Sequence, residues 1–342
     1  MATETDILIL GRGLAGAALA ESCRLRGLSV HVFDHKRDGN ASMAAGGAVN
    51  PVVLRRDVPS WRAAELMSLT RAFYGNWEKH LGVHCWYSRP LVKIFPTPNE
   101  VKQWERAMAE PGTAPFIASR PETEIDKAPL NAPHGYGTVT GAGWLDIPVL
   151  LDAQRADLLS SRALTERDVD EKEIMTVPDG VRIGEVKGRW LVRCTGPFAT
   201  DPGLVPVKGE TLTVRIPNMH LTRMVHGSAG LLPLGEELFR VGATFKWTDV
   251  WEGPTEEART WLLGKLATLV EGPIEVVGQN AGVRPTARDR RPILGRTGPV
   301  TAVINGLGAR GVMLAPWCAE HLLAHLFDGK ELAPEVDHAR FD

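Results

Sequence analysis

The chain has 342 residues, 44% of them hydrophobic and 23% charged, with a formal net charge of −2 and a sequence pI of about 6.6. That length is enough for about two domains with a sizeable core, and the near-neutral balance gives no electrostatic footprint for nucleic acid or an anionic membrane. No apolar run approaches the ~20 residues of a membrane span, and four cysteines (Cys23, Cys85, Cys194, Cys318) stand singly with no CxxC pair, as free thiols in a reducing compartment do.

The first predicted unit spans 6–34. An apolar run at 7–10 leads into Gly11-Arg12-Gly13-Leu14-Ala15-Gly16, an Ala/Leu-rich segment runs to Gly27, and a second apolar run ends on Asp34. The order is strand, glycine turn, helix, strand, acid, which is the arrangement of a dinucleotide site. Gly11 permits the tight turn, Gly13 lets backbone approach a pyrophosphate, and Gly16 lets the helix lie close on the sheet. The helix N-terminus offers unpaired N–H groups to phosphate, and Asp34 sits where a carboxylate accepts bonds from a ribose diol. NAD and FAD both fit this stretch. Because the chain enters its first strand almost at once, no room is expected for a signal peptide, and a cytoplasmic location follows.

Beyond Asp34 the chain does not continue as simple βαβ repeats. Residues 41–51 are dense in small side chains and suit a loop on which a planar ring can rest, or a close helix–sheet contact. Positions 61–80 read as a helix with Leu66, Leu69, Phe73 and Trp77 on one face, and 99–109 as a shorter one. Strand-like runs such as 91–95, a return crossing at 137–146 and a helix over 147–159 follow. Residues 179–187 alternate as a hairpin does, and 189–194 form a strand running into Thr195-Gly196-Pro197. A further β section occupies 205–215, 231–233 and 238–244, and 255–269 is an amphipathic helix. No internal repeat or charge block interrupts a chain that visits two interleaved domains more than once.

The second anchor is Gly282-Val283-Arg284-Pro285-Thr286, then a strand at 300–304 and Gly306-Leu307-Gly308-Ala309-Arg310-Gly311-Val312. With the N-terminal unit, the loop at 42–51, and the stretches 142–146, 195–196, 206–210 and 241–244, this resembles the D-amino-acid oxidase family of FAD-dependent oxidoreductases. That family includes glycine oxidase, sarcosine oxidase and the flavin domain of the bacterial tRNA wobble-uridine modification enzyme. The resemblance implies an α/β protein with a Rossmann-like FAD-binding domain (1–80 with 142–204 and 275–342) interleaved with a mainly antiparallel substrate domain (81–141 with 205–274). It implies non-covalent FAD. Gly11, Gly13, Leu14, Ala15 and Gly16 would cradle the pyrophosphate, and Asp34 the ribose. Ser42 with Ala45, Gly46 and Gly47 would line phosphate and ring, Thr195 and Gly196 would edge the site, and Gly308, Ala309, Arg310, Gly311 and Val312 would start the last long helix near the flavin pyrimidine edge.

For the chemistry, the resemblance implies oxidation of a C–N bond in a small amine or amino acid, by hydride transfer to flavin N5, giving an imine. Arg284 aligns with the arginine that grips the substrate carboxylate, a task suited to a fork donating two parallel bonds; a structural arginine tied to a neighbouring carboxylate is the alternative. Arg240 aligns with a lysine that promotes reaction with oxygen, or is a solvated strand residue, so the electron acceptor is oxygen or another carrier. Arg310 stands one residue from a second substrate-contacting arginine, and Gly230 replaces a pocket tyrosine. Trp86, Trp247 and Trp251 are expected in core packing. Cys318, His321 and His325 share a helical face beside Leu322, Leu323 and Leu326, which marks an ordinary packed helix rather than a metal site. Two rival readings stay open: a flavoenzyme acting on a carboxymethylaminomethyl-modified tRNA base, and a flavin-binding protein without turnover.

Overall fold

The computed structural model describes residues 3–118 and 129–341. Two sheets organise them. The first is eight-stranded, with Leu164–Glu166, Val30–Asp34, Thr3–Leu10 and Val186–Arg193 in parallel succession. Strand Thr301–Asn305 extends it in parallel, and an antiparallel hairpin of Gly180–Ile183 on Val186–Arg193 lies at 179–187 as expected. Ile7, Leu8, Ile9 and Leu10 at the end of strand Thr3–Leu10 form a continuous apolar run, fully buried or nearly so, because this sheet is covered on both faces. One cover is the pair of helices Leu14–Leu25 and Gly311–Asp328, from opposite ends of the chain, whose Ala17, Leu19, Met313 and Leu322 share one core with Ile7 and Ile9.

The second sheet has seven strands and is mainly antiparallel, the pair Met224–His226 and Leu91–Ile94 being parallel. Strand Glu275–Ala287, expected within the dinucleotide-binding portion, instead hydrogen-bonds along the whole of Leu204–Arg215 and so adds its residues to this sheet. Helix Glu256–Ala267 covers the sheet's far side with Leu262 and Leu266, and Thr255 caps it by accepting a bond from Ala258 N–H. A small sheet of Ala48–Val49, Gly143–Leu145 and Trp86–Ser88 stitches the loop after Ser42 to the return crossing. Among the described residues no helix is long and apolar enough to cross a membrane.

The tryptophans divide. Trp86 is buried and stacks on Tyr74, whereas Trp247 and Trp251 are 64% and 53% exposed, against the expectation of core packing for both. They sit in the irregular segment between Leu238–Gly242 and Glu256–Ala267, where no periodicity reports which way a side chain faces. On the last helix Cys318 is buried in the core, His321 Nε2 accepts from Ala333 N–H at 3.0 Å, and His325 Nδ1 meets the Lys330 carbonyl at 2.8 Å. Each of the two imidazoles is thus engaged with backbone.

Candidate functional site

Between the two sheets lies a cavity of about 920 Å³, at the upper end of the size range of small-molecule and cofactor sites. Its walls come from remote parts of the chain. The first sheet and its helices supply Gly11, Gly13, Leu14, Ala15, Asp34, Thr195, Gly196 and the run from Gly308 to Val312. The loop after Val30–Asp34 supplies Ser42, Ala45, Gly46 and Gly47, and the second sheet supplies Gly209, Thr211, Leu232, Arg240, Gly242 and Arg284. Every expected site residue but one therefore lines a single space. The exception is Gly16, which lies outside the lining. A Cβ there would stand 1.9 Å from the Gly11 carbonyl oxygen, so its part is to let helix and turn touch.

Two helix N-termini face this cavity without a side-chain cap. At the first, Gly13 occupies the N-cap, no acid stands in the first turn, and Leu14 N–H donates to Ser42 Oγ at 3.0 Å. At the second, Arg310 is the N-cap, its side chain makes no cap bond, and the first turn again carries no acid. Such ends have orphan N–H groups and a positive dipole, so the arrangement is built for negative charge. Ser42 is itself held, its N–H donating to Asn40 Oδ1 at 2.9 Å at the head of the short helix Ala41–Ala44. Asn40 went unread in the sequence, although an Asn before a run of small helix-compatible residues is a cap signal. Asp34 accepts from Arg12 N–H at 2.8 Å, with Arg12 Nε 3.7 Å from its other oxygen, which fixes the carboxylate at the strand end facing the cavity. The side of the cavity beyond Thr195 rests on buried Asn305, whose Nδ2 donates to the Gly196 carbonyl at 3.0 Å and to Asp201 at 2.6 Å.

The three candidate arginines differ in what they do. Arg310 lines the cavity, and its Nη1 is spent on the hydroxyl of Ser60, which lies outside the lining. That disfavours the catalytic role expected for it. Arg240 is not a solvated strand residue: burial lowers its pKa, its Nη1 donates to the Ala45 carbonyl at 2.9 Å, and its Nε is buried with no partner among the described residues. It braces the loop at 45–47 and keeps a spare donor. Arg240→Met should therefore weaken FAD retention by roughly tenfold, the worth of one charge-assisted bond, as read by fluorescence titration of flavin into apoprotein.

Arg284 is the informative one. It is half-buried, its Nη1 donates at 3.3 and 3.2 Å to the carbonyls of Lys208 and Thr244, and its Cζ lies 4.3 Å from the centroid of Phe245. Burial pushes its pKa down to about 10, so it stays charged at neutral pH. Among the described residues no carboxylate pairs with it, which removes the purely structural ion pair as its explanation. Phe245 gave no signal in the sequence because it sits in a segment without period.

The cavity residues fit FAD: paired anion-ready helix ends, a strand-end acid, and flat small-residue walls. Residues 6–326 match the family described as DAO, FAD dependent oxidoreductase. A protein of Caulobacter sp. (strain K31) described as the tRNA 5-methylaminomethyl-2-thiouridine biosynthesis bifunctional protein MnmC is 26% identical over 94% of this chain and 54% of its own length. The chain thus spans about half the length of that curated relative. Among solved structures, iminodiacetate oxidase from Chelativorans sp. BNC1 is similar at a TM-score of 0.78 with 20% identity, covering 98% of each chain. Glycine oxidase from Geobacillus kaustophilus has a TM-score of 0.74 with 23% identity, over 99% of this chain and 98% of that one, and both likenesses speak to the fold. With the match covering nearly the whole sequence and the cavity built to suit the cofactor, the chain belongs to the DAO family of FAD-dependent oxidoreductases.

Proposed function

We propose that the protein oxidises the C–N bond of a small amine that carries a carboxylate. Arg284 carries this reading: a charged guanidinium on the cavity wall, partly desolvated, and without a carboxylate partner among the described residues. A buried charge in that state costs stability until an anion meets it, and a planar fork meets a carboxylate with two parallel bonds. FAD, when bound, would supply the two-electron acceptor that this oxidation needs.

The chain's own residues do the rest. Gly11, Gly13, Leu14 and Ala15 would hold the pyrophosphate, Asp34 the ribose diol, Ser42 and Ala45 to Gly47 the middle of the cofactor, and Gly308 to Val312 its flavin end. Thr195 and Gly196 would edge the same groove. Arg284 would anchor the substrate carboxylate and so orient the amine, replacing random encounter by a held geometry. The glycine-rich floor of the second sheet leaves space for that substrate, and Leu232, beside Gly46, would give it an apolar wall.

A second reading, a modified tRNA base bearing a carboxymethylaminomethyl group, has one observation in its favour. Phe245 and Trp247 are 56% and 64% exposed and lie 6.5 Å apart, Phe245 against the Arg284 guanidinium, so a planar base has faces to stack on. The net charge of −2 offers little to a polyanion.

Anaerobic addition of substrates to the flavoprotein tests both. Carboxylated secondary amines and amino acids should bleach the flavin, and the same amines lacking the carboxylate should do so only at much higher concentration. Bleaching by tRNA alone would favour the second reading, and bleaching by nothing would leave a flavin binder without turnover. Admitting air afterwards shows whether oxygen is the acceptor.

A further inference from the structure

We infer that Gly209 is a positioning residue for Arg284, and through it a determinant of carboxylate recognition; the inference rests on the reading of Arg284 given above. Gly209 lies on strand Leu204–Arg215 opposite Gly282, and Arg284 lies opposite Val207 two pairs further along, on the same face. The guanidinium leans back over the glycine and fills the space a side chain would take. A Cβ built at 209 stands 2.0 Å from Nη2, 2.2 Å from Cζ and 2.3 Å from Nη1. Those separations are far inside van der Waals contact, so the group and a methyl cannot coexist there.

The strand is the part that cannot yield. Phe245 packs on the guanidinium at 4.3 Å, and the backbone of the segment carrying it is tied to the strand on both sides of Gly209. Thr244 N–H donates to the Glu210 carbonyl at 3.1 Å and Glu210 N–H to Thr244 Oγ1 at 2.9 Å. Lys208 and Lys246 exchange backbone bonds at 2.9 and 3.0 Å. On the opposite face of the strand, Lys208 Nζ lies 2.9 Å from Glu210 Oε1, and that carboxylate also accepts from Thr255 N–H, Thr255 Oγ1 and Gln279 Nε2 at 2.7, 2.8 and 2.9 Å. Alternation along the strand sends 208 and 210 one way and 209 the other. The strand is clamped from behind, so a methyl at 209 must expel the guanidinium rather than move the sheet.

The test is Gly209→Ala in the FAD-loaded enzyme, with N-methylglycine as the carboxylated probe and N-methylethylamine as its counterpart without the carboxylate. The KM for N-methylglycine should rise at least tenfold more than the KM for N-methylethylamine, so that the ratio of the two KM values, rather than activity as such, reads the loss of the carboxylate anchor. In an Arg284→Met background the same substitution should leave that ratio unchanged, because its target has gone. A wild-type KM in G209A, or an equal rise in the Arg284→Met background, would overturn the inference. Should G209A fail to fold, G209A/R284M should fold and bind flavin, since the collision is absent; failure of both would show that the strand itself rejects a side chain and would equally overturn it. Arg284→Met with an unchanged KM sinks the carboxylate reading and this inference together, whereas a raised KM there with a silent G209A sinks the inference alone.

Discussion

Gly16→Ala should yield protein with little or no FAD and a lowered melting temperature. The added Cβ would lie 1.9 Å from the Gly11 carbonyl oxygen and 3.2 Å from the Cys194 Cβ. Gly11 cannot retreat, because its N–H donates to Phe33 at 2.8 Å, its φ is +93°, and its own Cα faces the Cys194 carbonyl. Helix Leu14–Leu25 must therefore move off the turn. Overpacking of this kind costs about 1–3 kcal/mol, a large part of the roughly 5–15 kcal/mol that holds a domain together. The loss of function is expected to exceed the loss of stability, since moving the helix carries its N-terminus away from the cavity and breaks the bond from Leu14 N–H to Ser42 Oγ at 3.0 Å. The measurements are the flavin-to-protein absorbance ratio and a thermal melt. Gly75→Ala is the control: a Cβ there meets nothing within 4 Å inside helix Ala63–Leu81, so that variant should match or slightly exceed the parent. A Gly16→Ala protein with stoichiometric flavin and the parental melting temperature would show that the turn tolerates what the geometry forbids.

The same contrast explains what could be read from the sequence. The strand, glycine turn, helix and Asp34 at the strand end were legible because all their determinants lie within 6–34: glycine spacing, apolar runs and Asp34 are local, and the chemistry of a helix N-terminus does not depend on distant partners. The function of Gly16 was legible too, as a packing glycine, although its place outside the cavity lining was not. Strand Glu275–Ala287 was assigned to the other portion because pairing with Leu204–Arg215 is a long-range choice that no local pattern records. Arg310 was read from its position in a glycine-rich motif, and only the fold brings Ser60 within reach of its guanidinium. Exposure of Trp247 and Trp251 was hidden for a different reason: in an irregular segment, hydrophobic character alone does not say which way a side chain points. Gly209 stood inside a recognisable stretch, yet its meaning appears only when the Arg284 side chain is placed above it.

Arg284→Met is expected to raise KM for a carboxylated amine by roughly ten- to hundredfold, the equivalent of about 1.5–3 kcal/mol for a bond to a charged group, while leaving FAD bound. Met is unbranched and flexible and can repack along the wall without entering the guanidinium's place over Gly209, so the cavity wall should survive. Stability should move the other way or not at all. Among the described residues the parent's partly desolvated charge meets the carbonyls of Lys208 and Thr244 at 3.3 and 3.2 Å and the Phe245 ring, and no carboxylate; replacing such a charge by an apolar group of similar volume is often neutral or stabilising. A residue kept for folding would lose melting temperature when removed; a residue kept for substrate loses affinity. Burial holds the guanidinium pKa near 10, below its ordinary value. The charged form therefore prevails below that point, and the gap in KM between parent and variant should be flat from about pH 6 to about pH 9 and narrow as pH rises past about 10. Steady-state kinetics across that range, set beside thermal melts of both proteins, checks the two signs independently. A melting temperature that falls by several degrees with KM unchanged would make Arg284 a structural strut and leave the substrate carboxylate without an anchor.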